Sequence, residues 1–331
     1  MSGERPSQPE VLHSGSWSWG AAFDLVAAGI AIGSLAGLAG AWNWICDLTT
    51  HFRWYWMLLT MGGLAVCLRW RRPTAVGCLA VALVANGRDL LPYWLPTAIG
   101  VAAHADGQAV REHLRVTTVN VHRINEETDD VAAFLVDRQP DVVAVLEVDD
   151  KWAAMIDGLG DRWPHRVVEP RPDNFGIAVL SRWPLDEVML PTYTSTGYPS
   201  IVATVRRDGG AFRFIATHPF PPFNAGDTRQ LTEHLDGVAA TVASSSLPCI
   251  VAGDFNATPW SRPFRRLIAE SGLVDSGLGW GMHPTWHTRR PAPRIPIDHI
   301  LVPPGTEVVC RRVGPYVGSD HYPVEADLIL P

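Results

Sequence analysis

The sequence predicts an α+β fold in which a two-sheet β-sandwich, flanked by helices, is preceded by three transmembrane helices. After residue 111, short apolar runs bounded by turn residues recur with a few helical stretches between them, a pattern typical of two packed sheets. Before residue 97, three apolar runs are long enough to cross a bilayer. We therefore expect four parts: a disordered cytoplasmic lead at 1–20, a membrane domain at 21–96, a linker at 97–110 and a second folded domain at 111–331.

The three apolar runs cover residues 21–45, 54–70 and 73–96. A bilayer core needs about 20 apolar residues in a helix, so the runs have a suitable length. Three buried helices of a soluble domain are the alternative, but Gly and Ala in the first run and Trp at the run ends favour a membrane. Asp24, Arg88 and Asp89 also lie in the runs, where ionisable groups are candidates for a functional role. For Arg88 and Asp89 an anchor at the membrane interface is the alternative, and the sequence does not decide their roles.

Arginines between the second and third runs predict the orientation of the chain. Arg69, Arg71 and Arg72 cluster there, and the positive-inside rule places such a loop in the cytoplasm. The third span then runs outward, and the N-terminus is cytoplasmic. The sequence thus predicts a multi-pass cell-membrane protein whose domain 111–331 is extracytoplasmic.

The second domain is predicted to contain many strands and a few helices. Thr128 is expected to be the N-cap of one helix, which runs to about Arg138. Another helix is expected to start at a capping-box-like pair, Asp227 and Gln230, and to run to about Ala243. The strands are predicted at 114–121, 141–148, 175–181, 201–207, 211–217, 249–256, 297–302, 308–313 and 322–329.

The run at 249–256 ends in the sequence Gly-Asp-Phe-Asn and carries two polar side chains. Asp254 and Asn256 are two residues apart, so on an extended chain they point the same way. A carboxylate that takes a proton from water, beside an amide that orients it, suits a hydrolase. A strand followed by an Asx turn is the structural alternative.

Other polar side chains also follow, precede or interrupt apolar runs, where a polar group needs a reason. Each alone is more often structural than catalytic. Together they have the residue types that bind a hard cation and transfer protons. A carboxylate beside an imidazole also fixes its tautomer and favours its charged form. The complete set is Asn120, Glu147, His218, Asp254, Asn256, Asp298, Asp320 and His321.

This set resembles the endonuclease/exonuclease/phosphatase superfamily, whose members have a DNase I-like four-layer fold. The resemblance covers about residues 113–330. The three preceding spans and the sequence Thr-His-Pro-Phe-Pro-Pro are similar to the membrane-anchored VanJ-type branch, which is linked with glycopeptide resistance. The motifs that carry the superfamily resemblance are Asn120, Glu147, the run 174–184, Thr217-His218-Pro219, Gly253-Asp254-Phe255-Asn256, Thr285-Trp286, Ile297-Asp298-His299 and Gly318-Ser319-Asp320-His321.

The resemblance implies a divalent metal ion, Mg²⁺ or Mn²⁺, bound by Glu147 with Asn120 and Asp320. Oxygen ligands without a Cys/His cluster favour such a hard cation over zinc. The ion would polarise a phosphoryl oxygen.

The remaining residues of the set are expected to handle protons and phosphate. Asp254 would take a proton from the attacking water, and Asn256 would orient that water. His321, held by Asp298, would stabilise the transition state as imidazolium. His218 would contact the phosphate or protonate the leaving oxygen.

Three functions are compatible with the sequence. The first is a phosphoesterase or phosphatase that hydrolyses a lipid-linked substrate, a polyprenyl pyrophosphate of cell-wall synthesis, outside the cell. The second is a surface-anchored endonuclease or phosphodiesterase. Nucleic acid is disfavoured as a partner because the formal net charge of −7 lies in residues 111–331, with 21 basic and 28 acidic side chains. The third, a non-catalytic binding protein, is disfavoured because the motif set is complete.

Reporter fusions test the orientation. A reporter that is active only outside the cytoplasm should be active when it follows Pro331 and inactive when it replaces the chain from Pro73 onward. The reason is the arginine cluster between the second and third runs. The opposite pattern would place residues 111–331 in the cytoplasm.

Overall fold

The computed structural model describes residues 19–95, 113–290 and 292–331. Almost all of the predicted lead, 1–20, and the whole predicted linker, 97–110, lie outside these residues and stay predictions. Residues 19 and 20 belong to the first helix, so the lead is at least two residues shorter than expected.

The N-terminal region is helical. It consists of α1 (Trp19–Ala36), α2 (Trp44–Leu48), α3 (Arg53–Arg69) and α4 (Pro73–Trp94). The three long helices pack against one another, and their small contact surface includes Ala27, Cys67 and Leu79. The first apolar run was predicted to be helical to residue 45, but α1 ends at Ala36. A short 3-10 turn, α2 and a second 3-10 turn, Thr49–Phe52, follow it and lead into α3.

Two of the three helices are long and apolar enough to cross a membrane, by length and composition alone: Gly20–Ala39 and Pro73–Trp94. Helix α3 has 17 residues and is shorter than a typical span. Two of the three expected spans therefore meet this criterion of length and composition, and the multi-pass topology stays a prediction.

Polar side chains face inward in this helical region. Asn86 is fully buried and donates to Ser34 Oγ at 3.0 Å, while Arg53 donates to Asn86 Oδ1 at 3.2 Å. Two of the ionisable residues without an assigned role are paired: Asp24 with Arg72, and Asp89 with Arg53 at 3.0 Å.

The second domain contains two six-stranded mixed sheets. The first has the strand order β11-β12-β1-β2-β4-β3 and the second β5-β6-β7-β8-β10-β9. The strands are β1 (Leu114–Asn120), β2 (Val142–Leu146), β3 (His165–Glu169), β4 (Ile177–Ser181), β5 (Leu185–Met189), β6 (Ile201–Arg207), β7 (Gly210–Thr217), β8 (Cys249–Asp254), β9 (Val274–Asp275), β10 (Asp298–Val302), β11 (Glu307–Val313) and β12 (Val324–Ile329).

Four helices cover the outer faces of the sheets: α5 (Thr128–Arg138), α6 (Asp150–Gly158), α7 (Ala225–Ala243) and α8 (Arg262–Ser271). Side chains such as Leu146 and Phe214 fill the space between the sheets. Trp152 of α6 packs on the outer face of the first sheet, and Leu235 of α7 packs on that of the second. The predicted sandwich with outer helices is confirmed, as four layers.

The topology brings several strand ends to one edge of the sandwich. Strands β1 and β2 are parallel, as are β7 and β8, so the carboxyl ends of each pair lie side by side. Strand β10 is antiparallel to β8 and begins at this edge, with Asp298 opposite Asp254. Strand β12 is antiparallel to β1 and also begins there. Polar residues distant in sequence therefore meet.

Some details of the expected elements are wrong. Helix α5 begins at Thr128, but the N-cap residue is Glu127. Helix α7 begins at Ala225, and the side chain of Asn224 caps it by accepting from Gly226 N and Asp227 N. Three strands, β3, β5 and β9, were not predicted. The first two are edge strands with mixed polar and apolar residues, and the third has only two residues.

The helical region is docked against the second sheet and its helices. The carboxylate of Asp89 pairs with Arg265 of α8 at 2.8 Å as well as with Arg53. The Tyr93 hydroxyl donates to Asp275 at 3.0 Å, and Tyr55 bonds the backbone of Arg294. These contacts join the ends of α3 and α4 to the second domain.

Candidate active site

Gly253 places Asp254 beside the end of strand β7. Its φ is +156°, and a Cβ atom there would lie 1.9 Å from the carbonyl oxygen of Thr217. Only glycine permits this close approach of β8 to β7. As a result Asp254, at the end of β8, lies next to His218, which follows β7, with 3.5 Å between His218 Nε2 and Asp254 Oδ2.

Asp254 and Asn256 both line the site, but not because they share one face of a strand. Strand β8 ends at Asp254, and Asn256 has φ +48°. The Asp254 carboxylate accepts from Asn256 N at 2.9 Å, which is an Asx turn. The Asn256 amide donates to Pro219 O at 3.0 Å. The turn thus holds both side chains in the cavity and ties β8 to the loop that carries His218.

Asn120 links the two sheets. Its Nδ2 atom donates to Glu147 Oε1 and to Asp254 Oδ2, each at 3.1 Å. Its Oδ1 atom accepts from the backbone N–H of His122 at 2.9 Å. In this orientation Asn120 presents its nitrogen to the carboxylates, so its expected role as a metal ligand stays a prediction.

Glu147 has an unusual backbone conformation, with φ +64°. A non-glycine residue in this region costs free energy, of order 1–3 kcal/mol, and such outliers cluster at functional sites. With this backbone conformation the Glu147 side chain lines the cavity, where Oε2 accepts from Arg123 N at 3.0 Å.

His321 lies between two carboxylates. Its Nδ1 is 2.9 Å from Asp298 Oδ2, and its Nε2 is 3.6 Å from Asp254 Oδ2. Burial alone would lower the pKa of His321, but the carboxylates of Asp298 and Asp254 outweigh it and raise that pKa to about 10. His321 is therefore imidazolium at neutral pH, with the predicted Asp298–His321 pair in place.

Asp254 lies between a charged imidazole, His321, and a neutral one, His218. Burial raises the pKa of Asp254 to about 7, against the opposing effect of the His321 cation. Burial lowers the pKa of His218 to about 3, so His218 is a neutral imidazole. A buried carboxylate with a pKa near neutrality is suited to accept a proton.

Three ligand-type atoms, one each from Asp254, Asp298 and His321, lie within 4.8 Å of one another. This cluster could hold a cation by distance alone. However, both nitrogens of an imidazolium carry protons and cannot coordinate a metal. We interpret the cluster as a proton-handling network rather than a metal site.

Glu147 and Asp320 fit a hard cation better. Both carboxylates line the same cavity, and Asp320 Oδ2 accepts from Trp286 Nε1 at 3.2 Å. Asp320 Oδ1 is buried and makes no hydrogen bond among the described residues, although His122 Nδ1 lies 3.4 Å away. A buried carboxylate oxygen that makes no hydrogen bond, in a cavity with a second carboxylate, suits Mg²⁺ or Mn²⁺, which prefer oxygen ligands.

Ser319 fixes the position of Asp320 and His321. Its hydroxyl donates to Asn120 O at 2.7 Å and accepts from His321 N at 3.0 Å. These bonds join the start of β12 to the end of β1. Ser319 therefore has a structural role next to the site.

Most of these groups open into one cavity of about 670 Å³. Six of the eight predicted site residues line it: Glu147, His218, Asp254, Asn256, Asp320 and His321. The other two are buried behind them: Asp298 bonds His321, and Asn120 links Glu147 to Asp254. Phe175 and Phe220 form part of the apolar wall of the cavity.

The sequence did not single out several residues that line the cavity. His122 and Arg123 follow β1, where the polar run after Asn120 was the available signal. Leu48, His51 and Phe52 come from the helical region, and no signal in the sequence connects them to the second domain.

Two packed mixed sheets, with carboxylates, imidazoles and amides converging at one edge, define a phosphoesterase-type α+β fold. A family model described as the Endonuclease/Exonuclease/phosphatase family matches residues 117–321, more than half of the chain. The chain belongs to this family, whose members are divalent-metal-dependent phosphodiesterases and phosphatases. The superfamily resemblance is confirmed.

Solved structures share the fold. An endonuclease/exonuclease/phosphatase from Beutenbergia cavernae DSM 12333 is 24% identical, with a TM-score of 0.55, over 66% of this chain and 72% of that chain. The 3′ phosphatase NExo from Neisseria, bound to a product DNA hairpin, is 23% identical with a TM-score of 0.54, over 64% and 98%. Sphingomyelinase C from Streptomyces griseocarneus is 18% identical with a TM-score of 0.50, over 65% and 99%. A comparison with curated proteins found no match.

Replacing the proposed base tests the site. Asp254→Asn keeps the size of the side chain and removes its ability to take a proton, so hydrolysis should fall by about 10²–10⁴-fold with little change in melting temperature. Asp157→Asn is the control, because that carboxylate on α6 is 80% exposed and lies outside the cavity. Equal activity of Asp254→Asn and wild type would exclude Asp254 as the base.

Replacing the carboxylate behind His321 should have a milder effect. Asp298→Asn removes the charge that helps to raise the pKa of His321, so the imidazolium should deprotonate at a lower pH. We expect activity to be lost at a lower alkaline pH than in wild type, and pH–rate profiles measure this. An unchanged alkaline limb would contradict a catalytic imidazolium.

Proposed function

We propose that this protein is a membrane-anchored, metal-dependent phosphoesterase that hydrolyses a lipid-linked phosphate, with a polyprenyl pyrophosphate of cell-wall synthesis as the substrate class. The single observation that carries the proposal is the composition of the catalytic cavity. It is lined by Asp254, His321 and Glu147 together with apolar side chains, among them Leu48 and Phe52 of the helical region. An amphipathic substrate suits such a cavity.

The mechanism follows from the residues of the cavity. Asp254 takes a proton from water, whose oxygen forms a bond to phosphorus while the bond to the leaving oxygen breaks. The imidazolium of His321 stabilises the charge that develops on the phosphoryl group, and Asp298 holds its ring. The neutral His218 orients the phosphoryl oxygens. A divalent ion bound by Glu147 and Asp320 would supply further neutralisation of this charge.

The side-chain distribution of the helical region supports a membrane location. In the most apolar stretches of the two candidate spans, 22% and 28% of the residues are buried inside the protein, which is low for the core helices of a soluble protein. Large apolar side chains such as Ile32, Leu59 and Val84 are exposed, whereas Arg53 and Asn86 are buried. Apolar residues outside and polar residues between helices suit a lipid environment.

The proposal includes an orientation of the protein in the membrane and a biological role. The arginine cluster after α3 favours a cytoplasmic loop there, which leaves the cavity on the outer side of the membrane. Lipid-linked precursors of the cell wall are used on that side. The similarity to the VanJ-type branch adds a role in glycopeptide resistance, and the expected multi-pass topology belongs to the same proposal.

A nuclease is the second candidate. Phe175, Tyr198 and Phe220 form a stack beside His218, with ring centroids 3.6 Å apart for Phe175 and Tyr198. Such a stack could bind a base. The acidic net charge of the second domain disfavours binding of a long duplex.

A substrate panel distinguishes the two candidates. Purified full-length protein in detergent with Mg²⁺ is assayed against a polyprenyl pyrophosphate, a sphingolipid, an inositol phosphate and plasmid DNA. We expect phosphate release from the polyprenyl pyrophosphate, because its apolar chain would contact the apolar side chains that line the cavity.

The Asp254→Asn variant controls for contaminating enzymes in the same panel. Phosphate release should disappear with it. DNA cleavage that disappears with Asp254→Asn, together with no turnover of any lipid, would reject the lipid proposal in favour of a nuclease.

A further inference from the structure

The segment Trp44–Phe52, between the first and second long helices, is held rigidly against the second domain. Ser261 precedes helix α8 as its N-cap, but the Ser261 hydroxyl donates to Thr258 O and leaves the helix without a side-chain cap. Asp47 supplies the missing acceptor, since its Oδ1 accepts from Arg262 N at 2.8 Å. A carboxylate at a helix N-terminus is stabilising.

Asp89 strengthens this attachment. Its carboxylate bonds Arg53, directly after the segment, and Arg265 on the first turn of α8. The Trp260 indole N–H also donates to the Asp89 carbonyl at 3.0 Å. Both ends of the 3-10 turn Thr49–Phe52 are therefore fixed relative to α8.

This attachment places three side chains of the segment in the wall of the catalytic cavity: Leu48, His51 and Phe52. The loop after β7 lines the same cavity with Phe220 and Phe223. Phe223 is 72% exposed, so the cavity is open to solvent at this loop. The two apolar surfaces face a common space that is continuous with Asp254 and His321.

His51 is the unexplained polar group of this wall. It is only 4% exposed, and it lines the cavity. Burial lowers the pKa of His51 to about 4, so the ring is neutral and carries one N–H donor. A ligand that fills the cavity would provide an acceptor for this donor.

We propose that the segment Trp44–Phe52 is a substrate-binding wall of the active site: His51 donates a hydrogen bond to the phosphate headgroup, and Leu48 and Phe52 contact the apolar chain opposite Phe220 and Phe223. This inference rests on the proposed function for the identity of the chain. It makes the helical region part of the site as well as an anchor.

Specificity for long lipid chains follows from this arrangement. Only the apolar part of the substrate reaches Leu48 and Phe52, whereas every substrate presents phosphate to His51. Loss of Phe52 should therefore affect long-chain substrates selectively, and loss of His51 should affect all of them.

The kinetic test uses full-length protein in detergent micelles with a long-chain and a short-chain prenyl pyrophosphate. Phe52→Ala should raise KM at least tenfold for the long chain and less than threefold for the short chain, with kcat unchanged. His51→Leu should raise KM for both. Cys46→Ala is the matched control, since Cys46 lies on α2 and does not line the cavity.

Rescue separates the role of the His51 donor from packing. His51→Gln retains an N–H donor and should recover part of the affinity that His51→Leu loses, at equal melting temperature. The proposal of a substrate-binding wall would be rejected if both Phe52→Ala and His51→Leu kept KM within twofold of wild type for both chain lengths. The proposed function would stand in that case.

A binding measurement covers the case in which wild type hydrolyses no prenyl pyrophosphate. Dodecyl phosphate is titrated calorimetrically into full-length Asp254→Asn, with and without the wall substitutions. Binding that weakens about tenfold with His51→Leu and with Phe52→Ala, but not with Cys46→Ala, would support the wall even though the proposed substrate had failed. Equal affinities in all four proteins, or no binding at all, would overturn it.

Discussion

The contacts of the buried Asp254 carboxylate organise the rest of the site. Asn120 reaches it from the first sheet, and the imidazolium of His321 reaches it from the start of β12. Without these partners a carboxylate that is 1% exposed would be costly to ionise. The packing of the two sheets is therefore linked to the protonation of one side chain. Position 253 requires glycine because β8 approaches β7 there so closely that a Cβ atom would collide with the Thr217 carbonyl oxygen.

Much of the site could be predicted because polar residues at strand ends stand out against apolar runs. Asp254, Glu147 and His218 were identifiable in this way. Their convergence depends on the topology, in which two parallel pairs of strands end at the same edge. The sequence pattern alone does not specify which strands pair, so the family resemblance supplied that part.

Other features could not be predicted from local patterns. The side chains of Asp254 and Asn256 share the cavity through a turn instead of an extended strand, because Asn256 adopts φ +48°. Edge strands β3 and β5 have mixed polar and apolar residues, since one side of each lacks a neighbouring strand. The docking of α2 depends on Asp47 and Arg262, which are 215 residues apart. No periodicity encodes such a contact.

Turnover by the proposed mechanism requires a divalent ion at Glu147 and Asp320. The most direct measurement combines calorimetric titration of Mg²⁺ with hydrolysis assays on chelator-treated protein, comparing wild type, Glu147→Gln and a control, Glu126→Gln, whose carboxylate is 81% exposed. We predict that chelation abolishes hydrolysis, that Mg²⁺ restores it in wild type and Glu126→Gln, and that Glu147→Gln binds Mg²⁺ at least tenfold more weakly. Full hydrolysis by chelator-treated protein, or unchanged Mg²⁺ affinity in Glu147→Gln, would contradict the account.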